Sequence, residues 1–180
     1  MARSPKKTEK SEATELPYKK GDVLMNGGKL YQVFKIQKKK TGEVLQKVMF
    51  YKRLYAPNKG GEIICSVPIA NISKTRIRNP HSKKQLEKLF SILKKKTEGT
   101  QKVDINNSSD IIFSEKIVDK AHLLKDLWLE KNQPDVTFSH TKKKVFTQIL
   151  RVLREEIAYA FNIPVNDAEK KILSALKTQG

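Results

Sequence analysis

The chain has one cysteine, one tryptophan and three histidines in 180 residues. A lone Cys65 rules out an intramolecular disulfide, which fits a reducing compartment, and its apolar neighbours predict a buried structural thiol. His81, His122 and His140 are far apart and lack the short spacings of common zinc sites, so no metal is expected. No GxSxG elbow, phosphate loop or dinucleotide fingerprint occurs, and Gly27-Gly28 reads as a turn. Asp104, Asp110 and Asp119 do not follow the pattern of a calcium loop. These gaps predict a protein that is not an enzyme and carries no cofactor. Long hydrophobic runs are missing too: none approaches the ~20 residues needed to span a bilayer. The stretch from Met1 to Lys20 is polar with no apolar centre, so it reads as a disordered basic tail over 1–18 and not as a secretory signal. A cytoplasmic, nucleoid-associated location, no membrane partner and, with no heptad seam, a monomer are expected.

Negative charge is the other scarcity. Lys and Arg number 37 against 19 Asp and Glu, a net charge of +18. Residues 29–59 hold nine basic residues and one Glu, and residues 74–102 hold ten against two acidic ones. Residues 103–140, by contrast, are net −3, with four basic residues against seven acidic ones. Self-repulsion at this level opposes the compact state, so a polyanionic partner is expected, and nucleic acid is the commonest.

Periodicity divides the chain. From 19 to 78, β-branched and aromatic runs at Leu30–Ile36, Val44–Leu54 and Glu62–Val67 alternate with the turn signals Gly27-Gly28, Thr41-Gly42 and Gly60-Gly61. Four or five such strands predict a small, partly closed antiparallel barrel, because closure protects the edges. From 79 to 178 the period is helical. Ser82 with Gln85 forms a capping box before Leu86, Leu89, Phe90 and Leu93. Residues 97–109 read as a loop, and Ser114 as the cap of a helix burying Ile117, Ala121, Leu124 and Trp128. A longer helix runs from about Thr141 to Phe161, and Pro164 stops it. Asn166 with Glu169 predicts a further capping box, opening a helix that buries Ile172, Leu173 and Leu176. The class is α+β: barrel first, then a compact all-α bundle of about four helices.

Within the long helix, Lys142, Lys143 and Lys144 occupy the first turn, where positive charge opposes the helix dipole. Phosphate contact explains that placement, and Arg151 and Arg154 extend the basic surface, Arg154 with Glu155 and Glu156 beside it. Lysine greatly outnumbers arginine, which favours backbone binding over bidentate base readout.

Three motifs in order carry a resemblance: Ser66-Val67-Pro68-Ile69-Ala70-Asn71, Leu124-Lys125-Asp126-Leu127-Trp128, and Glu155-Glu156-Ile157-Ala158-Tyr159-Ala160. With Lys20-Gly21-Asp22-Val23 ahead of them, the chain resembles, across about 18–177, the CarD/CdnL family of bacterial RNA-polymerase-binding transcription regulators. The resemblance implies an N-terminal Tudor/SH3-like barrel, similar to the polymerase-interacting module of transcription-repair coupling factors. It implies that a sheet edge docks on the polymerase β subunit. The matching strand is Gln46 to Lys52 after the basic turn Lys38 to Lys40, so Lys38, Lys39, Gln46, Val48, Phe50, Lys52 and Arg53 become the expected polymerase-binding residues. The helical domain would contact promoter DNA at the upstream edge of the melted bubble and modulate the open complex, with Lys142, Lys143, Lys144, Arg151 and Arg154 as its DNA contacts. Actinobacterial members wedge a Trp into the minor groove beside the bubble. The one tryptophan here, Trp128, matches the helix-core Trp of the Asp-Leu-Trp motif, which leaves Ile111, Ile112 or Phe113 as an apolar wedge or as packing beneath a loop. Two rival readings follow from the residues alone: an architectural nucleic-acid protein without polymerase contact, and a polymerase-binding adaptor that recruits another protein.

Overall fold

The computed structural model describes residues 17–41, 44–55, 62–97, 102–134 and 136–178. Four strands come first: β1 (Val23–Asn26), β2 (Lys29–Thr41), β3 (Val44–Arg53) and β4 (Ile64–Pro68). A 3-10 helix, Ile69–Lys74, leads to α1 (Lys83–Lys94), α2 (Ser108–Phe113), α3 (Ile117–Lys131), α4 (His140–Phe161) and α5 (Val165–Lys177). The protein is therefore α+β, sheet before helices.

The sheet is an antiparallel meander in the order β1-β2-β3-β4, and β1 does not pair with β4. The expected barrel is thus not closed. β1 has only four residues, and its outer edge meets Arg78, with Met25 and Arg78 exchanging N–H to carbonyl bonds of 2.8 and 3.1 Å. That single bridge blunts an edge that closure would otherwise remove. Gly27 and Gly28, at φ 56 and 74, make the two-residue turn of the β1–β2 hairpin, a geometry that requires positive φ at both positions. A Cβ on Gly28 would stand 2.6 Å from Cγ2 of Val152, so this turn sits directly on α4.

β2 and β3 outrun their neighbours. β1 pairs only with Lys29–Gln32, and β4 only with Val48–Lys52, so beyond these residues β2 and β3 continue as a two-stranded arm. Two expectations are corrected here. Lys38, Lys39 and Lys40 lie within β2 and not in a turn. The supposed edge strand is an inner one, because Val48–Lys52 pairs with β2 on one side and β4 on the other; Val44–Lys47 and Arg53 have no partner in β4. The turn residues Gly42, Gly60 and Gly61 lie outside the described residues, as does the expected tail apart from Pro17 and Tyr18. Tyr18 is buried and belongs to the fold.

Two hydrophobic clusters hold the chain together. Tyr18, Leu24, Tyr31, Val33, Met49, Tyr51 and Val67 form the sheet cluster, with Cys65 half-buried at its margin, not the fully buried thiol expected. The larger cluster gathers the inner stripes of the helices and also takes in Met25 and Leu30 from the sheet. Both halves of the Ser82–Gln85 capping box form, and Leu86, Leu89, Phe90 and Leu93 are buried as the pattern predicts. The stretch 97–109 read as a loop ends in the first two residues of α2, Ser108 and Ser109. Ser114 follows α2 instead of capping the next helix: its hydroxyl donates to Ile111 O and accepts from Lys116 N–H. α3 then begins at Ile117 with no side-chain cap. The Asn166–Glu169 box is absent too, since α5 starts at Val165 directly after Pro164, and Glu169 turns to Arg154. α4 ends at Asn162 in the left-handed region, φ 52.

Candidate nucleic-acid and protein interfaces

Ser139 caps α4 by accepting from the Lys142 N–H, and the helix then separates its own basic residues. Lys142 points inward. Its Nζ donates to both carboxylate oxygens of Glu130, at 2.5 and 2.7 Å, with both side chains more than nine-tenths buried. Burial would raise the Glu130 pKa, but Lys142 and the Val103 N–H outweigh it and hold the carboxyl below its ordinary value. Lys142 is therefore buried in an ion pair and is not on the exposed basic surface expected of it. Arg154 is likewise engaged: its Nη1 donates to Glu169 on α5, an acid farther off than the adjacent glutamates. Lys143, Lys144 and Arg151 are exposed and make no ion pair among the described residues. With the exposed Thr147, Lys144 and Arg151 stand at i, i+3 and i+7, one outward stripe on the N-terminal half of α4.

The expected wedge residues are not free. Ile112 is 1% exposed in the larger core, and Ile111 and Phe113 pack against it. Phe113 also faces Gly28 and lies under the Arg76 guanidinium, 5.3 Å from the ring centroid. α2 packs on both α3 and α4, with Ile112 in the core and Phe113 against the β1–β2 turn. Trp128 is half-buried rather than enclosed. It stacks on Phe146 with centroids 6.2 Å apart, joining α3 to α4, and Lys131 lies 5.7 Å from its ring and 5.2 Å from that of Phe146.

On the sheet, the residues expected to meet the polymerase divide three ways. Gln46, Val48, Phe50 and Lys52 alternate onto one face of β3, opposite Met49 and Tyr51, which line the sheet core. Phe34 at the β2 register shift sits 6.4 Å from Phe50, and Lys52 lies 6.0 Å from the Phe34 ring. Lys39, opposite Gln46, shares that outer face, while Lys38 points to the other side of the arm. Both lysines are exposed, and the arm also exposes Val44 and Leu45. Val48 itself is buried. Arg53 is withdrawn: Nη2 donates to Glu155 at 3.0 Å and to the Tyr55 carbonyl at 2.9 Å.

Sheet and helices meet at a polar junction whose partners lie far apart in sequence. Glu155 also accepts from the Leu30 N–H of β2 at 3.0 Å. Its neighbour Glu156, fully buried, accepts from Arg78 at 2.7 Å and from His81 Nδ1 at 2.9 Å. Burial alone would raise the Glu156 pKa, yet hydrogen bonds and charge from His81 and Arg78 hold it down at about 2. Lys120 completes the group. It is 0% exposed, donates to the Ser114 carbonyl at 2.6 Å, and burial with the nearby Arg78 charge lowers its pKa to about 8. Two adjacent glutamates on α4 thus hold β2, β3 and the 78–81 connection.

Among the described residues, no group of three or more His, Cys, Asp or Glu side chains could hold a metal ion, and no helix is long and apolar enough to cross a membrane. No protein-family model and no curated protein matches the chain.

Proposed function

We propose that this protein is a transcription regulator of the CarD/CdnL type, docking on the RNA polymerase β subunit through its sheet and touching promoter DNA through α4. One observation carries the DNA half: Lys143, Lys144 and Arg151 stay free on one stripe while their neighbours Lys142 and Arg154 are consumed in ion pairs. Unpaired, exposed cations on a regular helix suit phosphate contacts made without base readout. The sheet half rests on the three ordered motifs and on an outer face that combines Phe34, Phe50 and Lys52 with the basic arm. The docking element is accordingly the β2–β3 arm and this face; of β3 itself, Val44–Lys47 still offers unpaired backbone for strand addition. A Tudor-like identity for the open sheet belongs to the same proposal, as does a cytoplasmic site of action.

The regulator acts by binding one state of the polymerase–promoter complex better than another. With Ile111, Ile112 and Phe113 packed inward, no apolar side chain of α2 serves as a wedge, so the stabilisation of melted DNA rests on backbone charge alone. The test is the lifetime of an open promoter complex, challenged with a competitor, with and without the protein. A longer lifetime that K143Q/K144Q abolishes is the expected result. An unchanged lifetime with the intact protein would remove the open-complex role, and DNA binding that persisted without polymerase contact would favour the architectural reading.

A further inference from the structure

The helix α1 is more basic than its packing needs. From 83 to 96 it and its C-terminal extension hold six lysines and one acid, Glu87, and all six lysines are exposed. None makes an ion pair among the described residues, although Arg53, Arg78, Lys142 and Arg154 all do. Leu86, Leu89, Phe90 and Leu93 face the core. Lys84 and Lys88 stand at i and i+4 on the opposite side, and the exposed Lys95 follows as the C-cap residue at the end of the helix. In addition, Lys171 of α5 lies 4.3 Å from the Phe161 ring and 5.4 Å from that of Phe90, and Lys83 lies 5.4 Å from Phe161. These ring contacts hold two further ammonium groups along the α1–α5 seam.

Such an arrangement works against the helix that bears it. Lys83 and Lys84 oppose the dipole in the first turn, and Lys84 and Lys88 repel one another at i, i+4. The capping box and the buried inner face hold α1 in spite of this. A row of phosphates would remove both penalties. We propose that the outer face of α1, continued by Lys171, is a second nucleic-acid backbone site, distinct from the α4 stripe. The two sites are well separated. Lys83 lies over Phe161, the last residue of α4, whereas Lys143 is 18 residues earlier, about 27 Å along the helix axis. α1 and α4 pack their inner faces into the same core. A chain with both sites can hold two duplex segments at once, which goes beyond the single upstream contact proposed above.

The test uses the full chain and a labelled DNA duplex too short to reach both faces. Titration is expected to end at two duplexes per chain in the wild type and at one in K84Q/K88Q/K95Q. The slope of log K against log salt, summed over the bound duplexes, should become shallower by about 2.7 in that variant, from about 0.9 for each phosphate no longer neutralised. A wild-type end point of one duplex, or an unchanged end point and slope in the variant, would overturn the α1 site. The site is equally overturned if the variant loses polyglutamate binding but keeps its duplex binding, because the face would then suit an acidic protein. Loss of binding in K143Q/K144Q/R151Q with no effect of the α1 changes would sink this site alone and leave the α4 contact standing; the reverse pattern would do the opposite.

Discussion

Replacing Glu156 with Ala is expected to cost about 3–5 kcal/mol of stability, because it strands Arg78 and His81 in the interior without their anion. Glu156 accepts from both groups with no solvent exposure of its own, and both partners are themselves buried. In a chain of this size such a loss lowers the thermal midpoint by roughly 6–20 °C, readable by circular dichroism. The exposed pair Lys52–Glu62 is the comparison: its side chains are 40% and 57% exposed, and E62A should shift stability by at most about 1 kcal/mol. The pH dependence follows from the depressed carboxyl. The Glu156 pKa lies at about 2 in the folded protein against an ordinary 4.5, so its contribution is complete above about pH 4.5 and lost as pH falls toward 2. E156A should therefore flatten the acid limb of the stability profile. Glu130, also held below its ordinary value, adds to the same limb and would remain in the variant. Equal midpoints for E156A and E62A would show that the junction does not hold sheet to helices.

The second large effect concerns DNA. K143Q/K144Q/R151Q should weaken duplex binding by the full chain and make its salt slope shallower by about 2.7, at about 0.9 for each phosphate released. K142Q provides the contrast, since it is adjacent in sequence but opposite in consequence. It leaves Glu130 buried without its cation, so it should destabilise the fold strongly while leaving the salt slope unchanged when measured below the melting transition. A slope change in K142Q equal to that of one exposed lysine would mean that the Lys142–Glu130 pair opens for DNA.

Much of the fold is legible from pattern, and the misses have physical causes. Helical stripes and the Ser82 cap follow from short-range rules that the fold obeys locally. Strand order does not: nothing in the Gln46–Lys52 alternation tells an inner strand from an edge, because pairing with β4 depends on where the chain returns after the 56–61 connection. Charge patterning overstates the free basic surface for a related reason. Lys142 looks like Lys143 in sequence, yet one helical step of about 100° turns it toward Glu130 instead of solvent. The junction did leave a signal. Glu156 lies on the apolar stripe of Val152, Leu153 and Ile157, and Lys120 on that of Ile117, Ala121 and Leu124. A charge on a core stripe implies a buried partner, although only the tertiary structure supplies its identity. Phe113 is the opposite case: the pattern leaves it open as a wedge or as packing beneath a loop, and only the Gly28 turn of a distant hairpin, which stands against it, supplies its contact.

Polymerase capture tests the proposed regulator most directly. The full chain, immobilised at low salt, is exposed to purified bacterial RNA polymerase beside a variant with the arm reversed in charge, K38E/K39E/K40E, and its apolar tip blunted by L45D. The wild type should retain the polymerase and the variant should not, with both still folded by circular dichroism. Absence of retention by the wild type, or equal retention by both, would contradict docking through the β2–β3 arm.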